Sequence, residues 1–219
     1  MSEMSLEQAR FNMIKQQLRP WEVLDQQVLD ILEQTPREDF VPPQYRTLAY
    51  ADVAIPLGHG QVMMLPKVEG RMLQALAIQP TDRVLEVGTG SAYTTACLAR
   101  LGDSVVSVDI FPEFTQAAQR KLPVHGIKNV VLHSGDAALG WGEQRYDVIA
   151  ITGSLPFVPE RWRRQLTIGG RLFIVVGELP VMEALLITRL SEHEWATDSL
   201  FDTELAPLLN VTKPAEFEF

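Results

Sequence analysis

The residues of this sequence best placed to do chemistry are three acids and two glycines. Glu86 stands in Arg83-Val-Leu-Glu-Val-Gly-Thr-Gly-Ser-Ala-Tyr93, just ahead of Gly88 and Gly90. An apolar β-branched run, a glycine turn and a helical pattern follow one another there. That order is a strand, a tight turn and a helix N-terminus, the usual start of a nucleotide-type cofactor site. A carboxylate at 86 is expected close to the cofactor, where it would repel a pyrophosphate. S-adenosylmethionine has no phosphate, and its sulfonium and ammonium tolerate or favour a nearby carboxylate. The third glycine of G-x-G-x-x-G is also missing, its place taken by Tyr93. Both features disfavour a nicotinamide-dependent oxidoreductase.

The second acid, Asp109, ends the apolar run Ser104-Val-Val-Ser-Val108 and lies 21 residues beyond Gly88. An acid about 20 residues on, at the tip of the second strand, can accept hydrogen bonds from both ribose hydroxyls. The plainer alternative is a helix N-cap, since Pro112 and a helical pattern follow. The third acid, Asp136, follows the run Asn129-Val-Val-Leu-His133, where it could accept from an adenine amino group. Each acid alone says little. Three at the carboxyl ends of successive strands converge on one crevice, as the switch-point rule for open α/β sheets requires.

These acids must be positioned by alternating strands and helices. The pattern predicts strands at 83–87, 104–108, 129–133, 146–152 and 170–176, with helices from 92, 113 and 158 between them. Segments 185–190 and 195–205 read as two further, antiparallel strands. Ahead of the first strand, residues 5–34 read as two helices broken at Arg19-Pro20, the second capped by Asp25, and 67–76 as a third. Residues 35–66 are rich in Pro and Gly yet carry Tyr50, Ile55, Leu57 and Met63, so they read as a packed functional segment. The expected organisation is an N-terminal helical cap and substrate-side loop, 1–66, on a compact unit, 67–219. The fold class is α/β, a mostly parallel Rossmann-like sheet with helices on both faces.

Composition narrows the function. The chain has 219 residues, 46% hydrophobic, enough for one good core. A net charge of −9 argues against nucleic acid as a partner, because a phosphate backbone needs a basic face. The short basic cluster Arg161-Trp-Arg-Arg164 reads as a solvated helix face. The single cysteine, Cys97, excludes an internal disulfide framework and falls in an apolar helical pattern. The N-terminus has no apolar signal core and no run reaches 18 apolar residues, which argues for a cytoplasmic protein that does not engage a membrane.

Together these segments resemble the protein-L-isoaspartate O-methyltransferases, from about residue 8 to residue 209. The likeness is carried by Arg37-Glu-Asp-Phe-Val-Pro42, by Ala49-Tyr-Ala-Asp52 with Ile55-Pro-Leu-Gly58, and by Val84-Leu-Glu-Val-Gly-Thr-Gly-Ser91. Asn129-Val130, Gly135-Asp136, Tyr146-Asp-Val-Ile149 and Gln165-Leu-x-x-Gly-Gly-Arg-Leu172 continue it. The resemblance implies a Rossmann-like methyltransferase fold binding S-adenosylmethionine. It also implies methylation of the free α-carboxylate of an isoaspartyl residue in a damaged protein. The expected cofactor-binding residues are Gln61, Val62, Glu86, Gly88, Thr89, Gly90, Ser91, Tyr93, Asp109, Ile110, Asp136, Ala137 and Thr152. The expected partner is an isoaspartyl-containing protein or peptide, or a small acceptor.

One departure bears on the chemistry. The family reads Gly-Gln-Thr-Ile-Ser-x-Pro in its substrate loop, and this chain reads Gly60-Gln-Val-Met-Met-Leu-Pro66. Val62 replaces the threonine and Met64 the serine at the family's catalytic position. A carboxylate acceptor is already ionised, so catalysis is mainly positioning of the attacking oxygen. Each lost hydrogen bond to a charged group is worth about 1.5–3 kcal/mol. Isoaspartyl activity is therefore expected to be weak or absent unless backbone donors, Gln61 or His59 take over. The alternatives are a same-fold enzyme with another acceptor, and a non-catalytic cofactor-binding protein. A smaller departure is Ala92 for the last glycine of the cofactor turn, harmless if φ there is negative.

Other residues carry competing readings. His59 is a candidate catalytic residue, though loop histidines are usually solvated. Met63 and Met64 could equally be core. Trp21, Trp141, Trp162 and Trp195 are scattered like packing residues, and His125, His133 and His193 lack metal-ligand spacing, so no metal is expected.

Overall fold

The computed structural model describes residues 3–211; the ends of the expected 1–66 and 67–219 segments, at 1–2 and 212–219, lie outside the described residues. A seven-stranded sheet carries everything else. Its strands are β3 (Arg83–Val87), β4 (Ser104–Asp109), β5 (Val130–Ser134), β6 (Tyr146–Leu155), β7 (Leu166–Glu178), β8 (Val181–Arg189) and β9 (Trp195–Asp202), in the spatial order β5-β4-β3-β6-β7-β8-β9. The first five pair in parallel and the last two antiparallel. The chain winds outward from β3 to β5, then crosses to the other side at β6. The carboxyl ends of β3 and β6 are therefore the switch point, where a crevice opens.

Side-chain alternation divides the core in two. Val84, Val105, Val148, Ala150, Phe173 and Val175 face one side, with α3 (Pro66–Leu76), α4 (Tyr93–Leu101) and α5 (Pro112–Val124) packed over them. Leu85, Val87, Val108, Ile149, Ile151, Leu172 and Ile174 face the other. Helices cover both faces, but unequally. Among the described residues the second face has only α6 (Glu160–Arg164), shorter than the pattern from 158 suggests, and its cover comes largely from one side chain. Trp162 is fully buried, with its indole N–H donated to the Ala138 carbonyl at 3.2 Å.

The N-terminal region differs from a simple cap on the carboxyl edge. Helix α1 (Glu3–Met13) runs through a π-helical turn and a short 3-10 turn that contains Pro20. Helix α2 (Gln26–Gln34) then starts at Asp25, whose carboxylate accepts from the Val28 N–H. Its stripe, Val28, Leu29 and Leu32, packs on α3 and α4 and makes a third layer. An apolar stripe needs an apolar surface, and the outer sides of those helices supply one where the polar carboxyl edge does not. Only the segment after it, with the hairpin of β1 (Ile55–Gly58) and β2 (Gln61–Met63), reaches the carboxyl edge. Residues on both sides of position 66, from Met13 to Leu205, share one apolar cluster.

Two further differences matter near the crevice. The last strand stops at Asp202, and the chain turns back: Pro207 bridges to Ser154, and the Ser154 N–H donates to Ala206 O at 2.9 Å. Ala92, ahead of α4, has φ +70, not a negative value, and is completely buried. A Cβ in the left-handed region costs about 1–2 kcal/mol, offset in part by the extra freedom glycine gives the unfolded chain. Ala92→Gly should therefore raise the unfolding free energy by about 0.5–1 kcal/mol. A urea titration checks this; a midpoint lower than that of the parent protein refutes it.

Candidate active site

A cavity opens at the switch point. Its floor is the glycine turn. Gly88 has φ +100, and a Cβ there would lie 2.2 Å from Thr152 Oγ1, so only glycine fits. Thr152 donates to the carbonyls of Val87 and Gly88 at 2.9 and 2.8 Å, fastening the turn to the end of β6. Asp109 fastens it to β4. Its carboxylate accepts from the Gly90 N–H at 2.8 Å and the Phe111 N–H at 2.9 Å. Asp109 is not the N-cap of α5, a position held by Phe111 without a side-chain bond. Burial pushes the Asp109 carboxyl above its ordinary range, against the pull of those amide donors. Asp136 stands beyond β5, accepting from the Ala138 N–H and from Asn210.

The sequence-predicted residues mostly meet here. Gln61, Val62, Met64, Gly88, Thr89, Gly90, Ser91, Asp109, Ile110, Asp136, Ala137 and Thr152 line the cavity together. Glu86, Tyr93 and His59 do not. Glu86 shares the face of Val84, so strand alternation turns it away from the cavity and under α4. It is fully buried there, accepting from Thr95 at 2.5 Å and Ser107 at 2.6 Å, and the Ser107 and Thr89 hydroxyls are 2.6 Å apart. It braces the turn from beneath and is not part of the crevice. Tyr93 points into the core, edge-on to Phe40 and beneath the Arg37 guanidinium at 4.7 Å. His59, half exposed, stacks on Phe111 with ring centres 4.3 Å apart.

Several cavity residues escaped the sequence pattern. Leu57, Phe111 and Phe114 add apolar wall, and residues 205–209 close one side after the C-terminal turn-back. Glu69 is the most consequential. It lies in the first turn of α3, where an acid is unremarkable beside the helix dipole, yet it is buried and lines the cavity. It pairs with the fully buried Arg37, which also donates to the Met64 carbonyl at 2.7 Å, and it accepts from Thr94 at 3.3 Å. The only sequence signal for it was an acid on the helix's apolar face.

Among the described residues the wall thus carries three acids, Glu69, Asp109 and Asp136, and no Lys, Arg or His. A pyrophosphate would find no cation there, whereas a sulfonium and an ammonium would be well placed. The acidic wall agrees with the expectation about cofactor charge, but Glu86 is not part of it, and Glu69 is an acid on that wall which the sequence pattern did not single out.

A switch-point crevice with an acidic, lysine-free wall on a parallel sheet ending in an antiparallel pair defines a Rossmann-like S-adenosylmethionine-dependent methyltransferase. Comparison with known proteins narrows the class. The family profile for protein-L-isoaspartate(D-aspartate) O-methyltransferase matches residues 9–211, so the chain belongs to the protein-L-isoaspartate O-methyltransferase family. It is 39% identical over 206 residues to the protein-L-isoaspartate O-methyltransferase 2 of Marinobacter nauticus, covering 93% of this chain and 94% of the relative. The Gloeobacter violaceus protein-L-isoaspartate O-methyltransferase is 36% identical over 205 residues, covering 93% and 100%. Among solved structures, a Plasmodium falciparum chain assigned to the same activity, in complex with S-adenosyl-L-homocysteine, superposes with a TM-score of 0.77. It covers 93% of this chain and 97% of its own at 20% identity, a likeness of fold.

The buried brace has a pH signature. Desolvation pushes the Glu86 carboxyl from its ordinary 4.5 up to about 8, despite the Ser107 and Thr95 donors. The folded protein keeps that proton where the unfolded chain has lost it. Stability should therefore fall as pH rises from about 5 to 8, by up to about 1.4 kcal/mol per pH unit from this group. Glu86→Gln removes that contribution, leaving the shallower slope of the other buried acids. Chemical denaturation at several pH values reads the difference; parallel slopes in the two proteins refute the protonated brace.

Proposed function

We propose that this chain transfers the methyl group of S-adenosylmethionine to the free α-carboxylate of isoaspartyl residues in damaged proteins or peptides, in the cytoplasm. The observation that carries this reading is the joining of the substrate loop to the cofactor crevice. Gln61, Val62 and Met64 from the loop share one cavity with Gly88, Asp109, Asp136 and Thr152 from the strand ends. The bound cofactor supplies an electrophilic methyl on a sulfonium, and the acceptor oxygen forms its bond as the carbon–sulfur bond breaks. The chain's own part is to hold two ligands in line. Asp109 takes the ribose hydroxyls, Asp136 the adenine side, and the glycine turn lets the backbone approach closely. The β1–β2 hairpin presents the acceptor to the methyl.

A second reading has its own support. Val62, Met63 and Met64 make the acceptor side apolar, which suits a methyl acceptor other than a carboxylate. Transfer of labelled methyl to an isoaspartyl peptide, with the aspartyl peptide as control, separates the two. Weak turnover is expected because two hydroxyl donors are missing. Val62→Thr with Met64→Ser should raise kcat/KM at least about tenfold, the worth of one charged hydrogen bond. No gain, beside intact cofactor binding, favours the second reading.

The cofactor placement has a separate check. Asp109→Ala should weaken S-adenosylhomocysteine binding about tenfold or more, through loss of charge-assisted bonds. Unchanged affinity by calorimetry would remove Asp109 from the ribose.

A further inference from the structure

Glu69 is a buried titratable group that the transfer chemistry above does not use. It sits on the cavity wall beside the substrate loop, tied to that loop through Arg37, which bonds both Glu69 and the Met64 carbonyl. An acceptor carboxylate entering this half of the cavity meets the non-donating side chains of Val62, Met63 and Met64. It also meets the Glu69 carboxyl, which repels it when ionised. The same carboxyl becomes a donor when protonated. The Arg37 charge is then no longer balanced by Glu69 and is free to balance the incoming anion.

We propose that Glu69 is the residue that selects the acceptor carboxylate, donating a hydrogen bond to it from a protonated carboxyl held by Arg37. The inference rests on the isoaspartyl reading and says how this chain manages without the family's loop hydroxyls. Free of acceptor, Arg37 and Glu69 form an ion pair. On binding, a proton from solvent moves onto Glu69, and the acceptor carboxylate replaces it as the counter-charge. After transfer the acceptor is a neutral ester, the Arg37 charge again needs a partner, and Glu69 returns its proton to solvent.

The surroundings favour that exchange. Burial raises the Glu69 carboxyl to about 7 even against Arg37 and the Thr94 hydroxyl. The other titratable groups packed against it are Tyr93 and Cys97 on α4 and Glu86 on β3. Burial raises all three and so favours their neutral forms over a second negative charge beside Glu69. Among the described residues Arg37 is the one cation in direct contact, and its contacts are internal.

The test uses the full chain, saturating S-adenosylmethionine and a blocked isoaspartyl peptide without histidine. Its α-carboxylate stays ionised throughout. In the unmodified protein KM should rise about tenfold between pH 7 and 8.5 as Glu69 loses its proton, with kcat changing less. Glu69→Gln keeps an N–H donor and cannot ionise, so its KM should be flat over that range and lower than the parent's at pH 8.5. Glu69→Ala, with no donor, should have a high KM at every pH. S-adenosylhomocysteine affinity by calorimetry reports whether each variant keeps its pocket. A Glu69→Gln profile that follows the parent's overturns the proposal. So does a loss of S-adenosylhomocysteine affinity in Glu69→Gln with peptide KM unchanged, which would assign Glu69 to the cofactor. No isoaspartyl turnover by the unmodified protein from pH 6 to 8.5, with S-adenosylhomocysteine still bound, would instead sink the acceptor assignment itself, and this inference with it.

Discussion

One guanidinium links the parts of this protein that must meet for methyl transfer. Arg37, completely buried, bonds Glu69 on α3 and the Met64 carbonyl in the substrate loop, and lies over the ring of Tyr93 at the start of α4. Those contacts join the N-terminal segment, the loop and the two helices that cover the crevice. A charge so placed cannot be lost cheaply. Removing one partner of a buried ion pair costs about 3–5 kcal/mol, because the other is left uncompensated out of water. The pair is therefore a requirement of geometry more than a source of net stability. It fixes where the loop's backbone stands at the edge of the cavity.

The crevice itself is held from below and from both sides. Glu86 braces the glycine turn through Ser107 and Thr95, Asp109 ties it to β4, and Thr152 ties it to β6. A turn whose backbone amides face a ligand cannot be held from above without blocking the site. The protein accordingly spends buried polar side chains beneath the turn, at a desolvation cost visible in the raised Glu86 carboxyl. Ala92 shows the same rigidity in another way. A left-handed alanine persists because the surrounding contacts over-determine its conformation.

The acceptor side is built on different terms. Its wall is apolar at Val62, Met63 and Met64, and its polar character is concentrated in one helix acid whose charge depends on its neighbours. Flexible methionines can adjust to an acceptor's shape but cannot donate a hydrogen bond to its oxygens. On the proposed reading, shape and polarity are divided between the loop and α3, where the family's loop motif combines them in hydroxyl side chains.

Much of this was legible in the residues alone, for local reasons. The strand, glycine turn and helix of 83–101 follow from β-branched runs, glycines that tolerate positive φ and a helical apolar pattern, all properties of neighbours in the chain. The acids at the strand ends and the order of motifs gave the crevice and the family in the same way. Tertiary structure decided what depends on direction and distance. Alternation along β3 placed Glu86 beneath the turn, and the neighbours of position 92 set its φ. The apolar stripe of α2 sought α3 and α4 in place of the carboxyl edge, and the return of the chain after Asp202 closed the cavity. Glu69 is the clearest case. As a letter it is an ordinary helix acid; only packing against Arg37, 32 residues earlier in the chain, makes it a buried group on the acceptor wall, because burial and charge balance belong to the assembled fold and not to any segment of it.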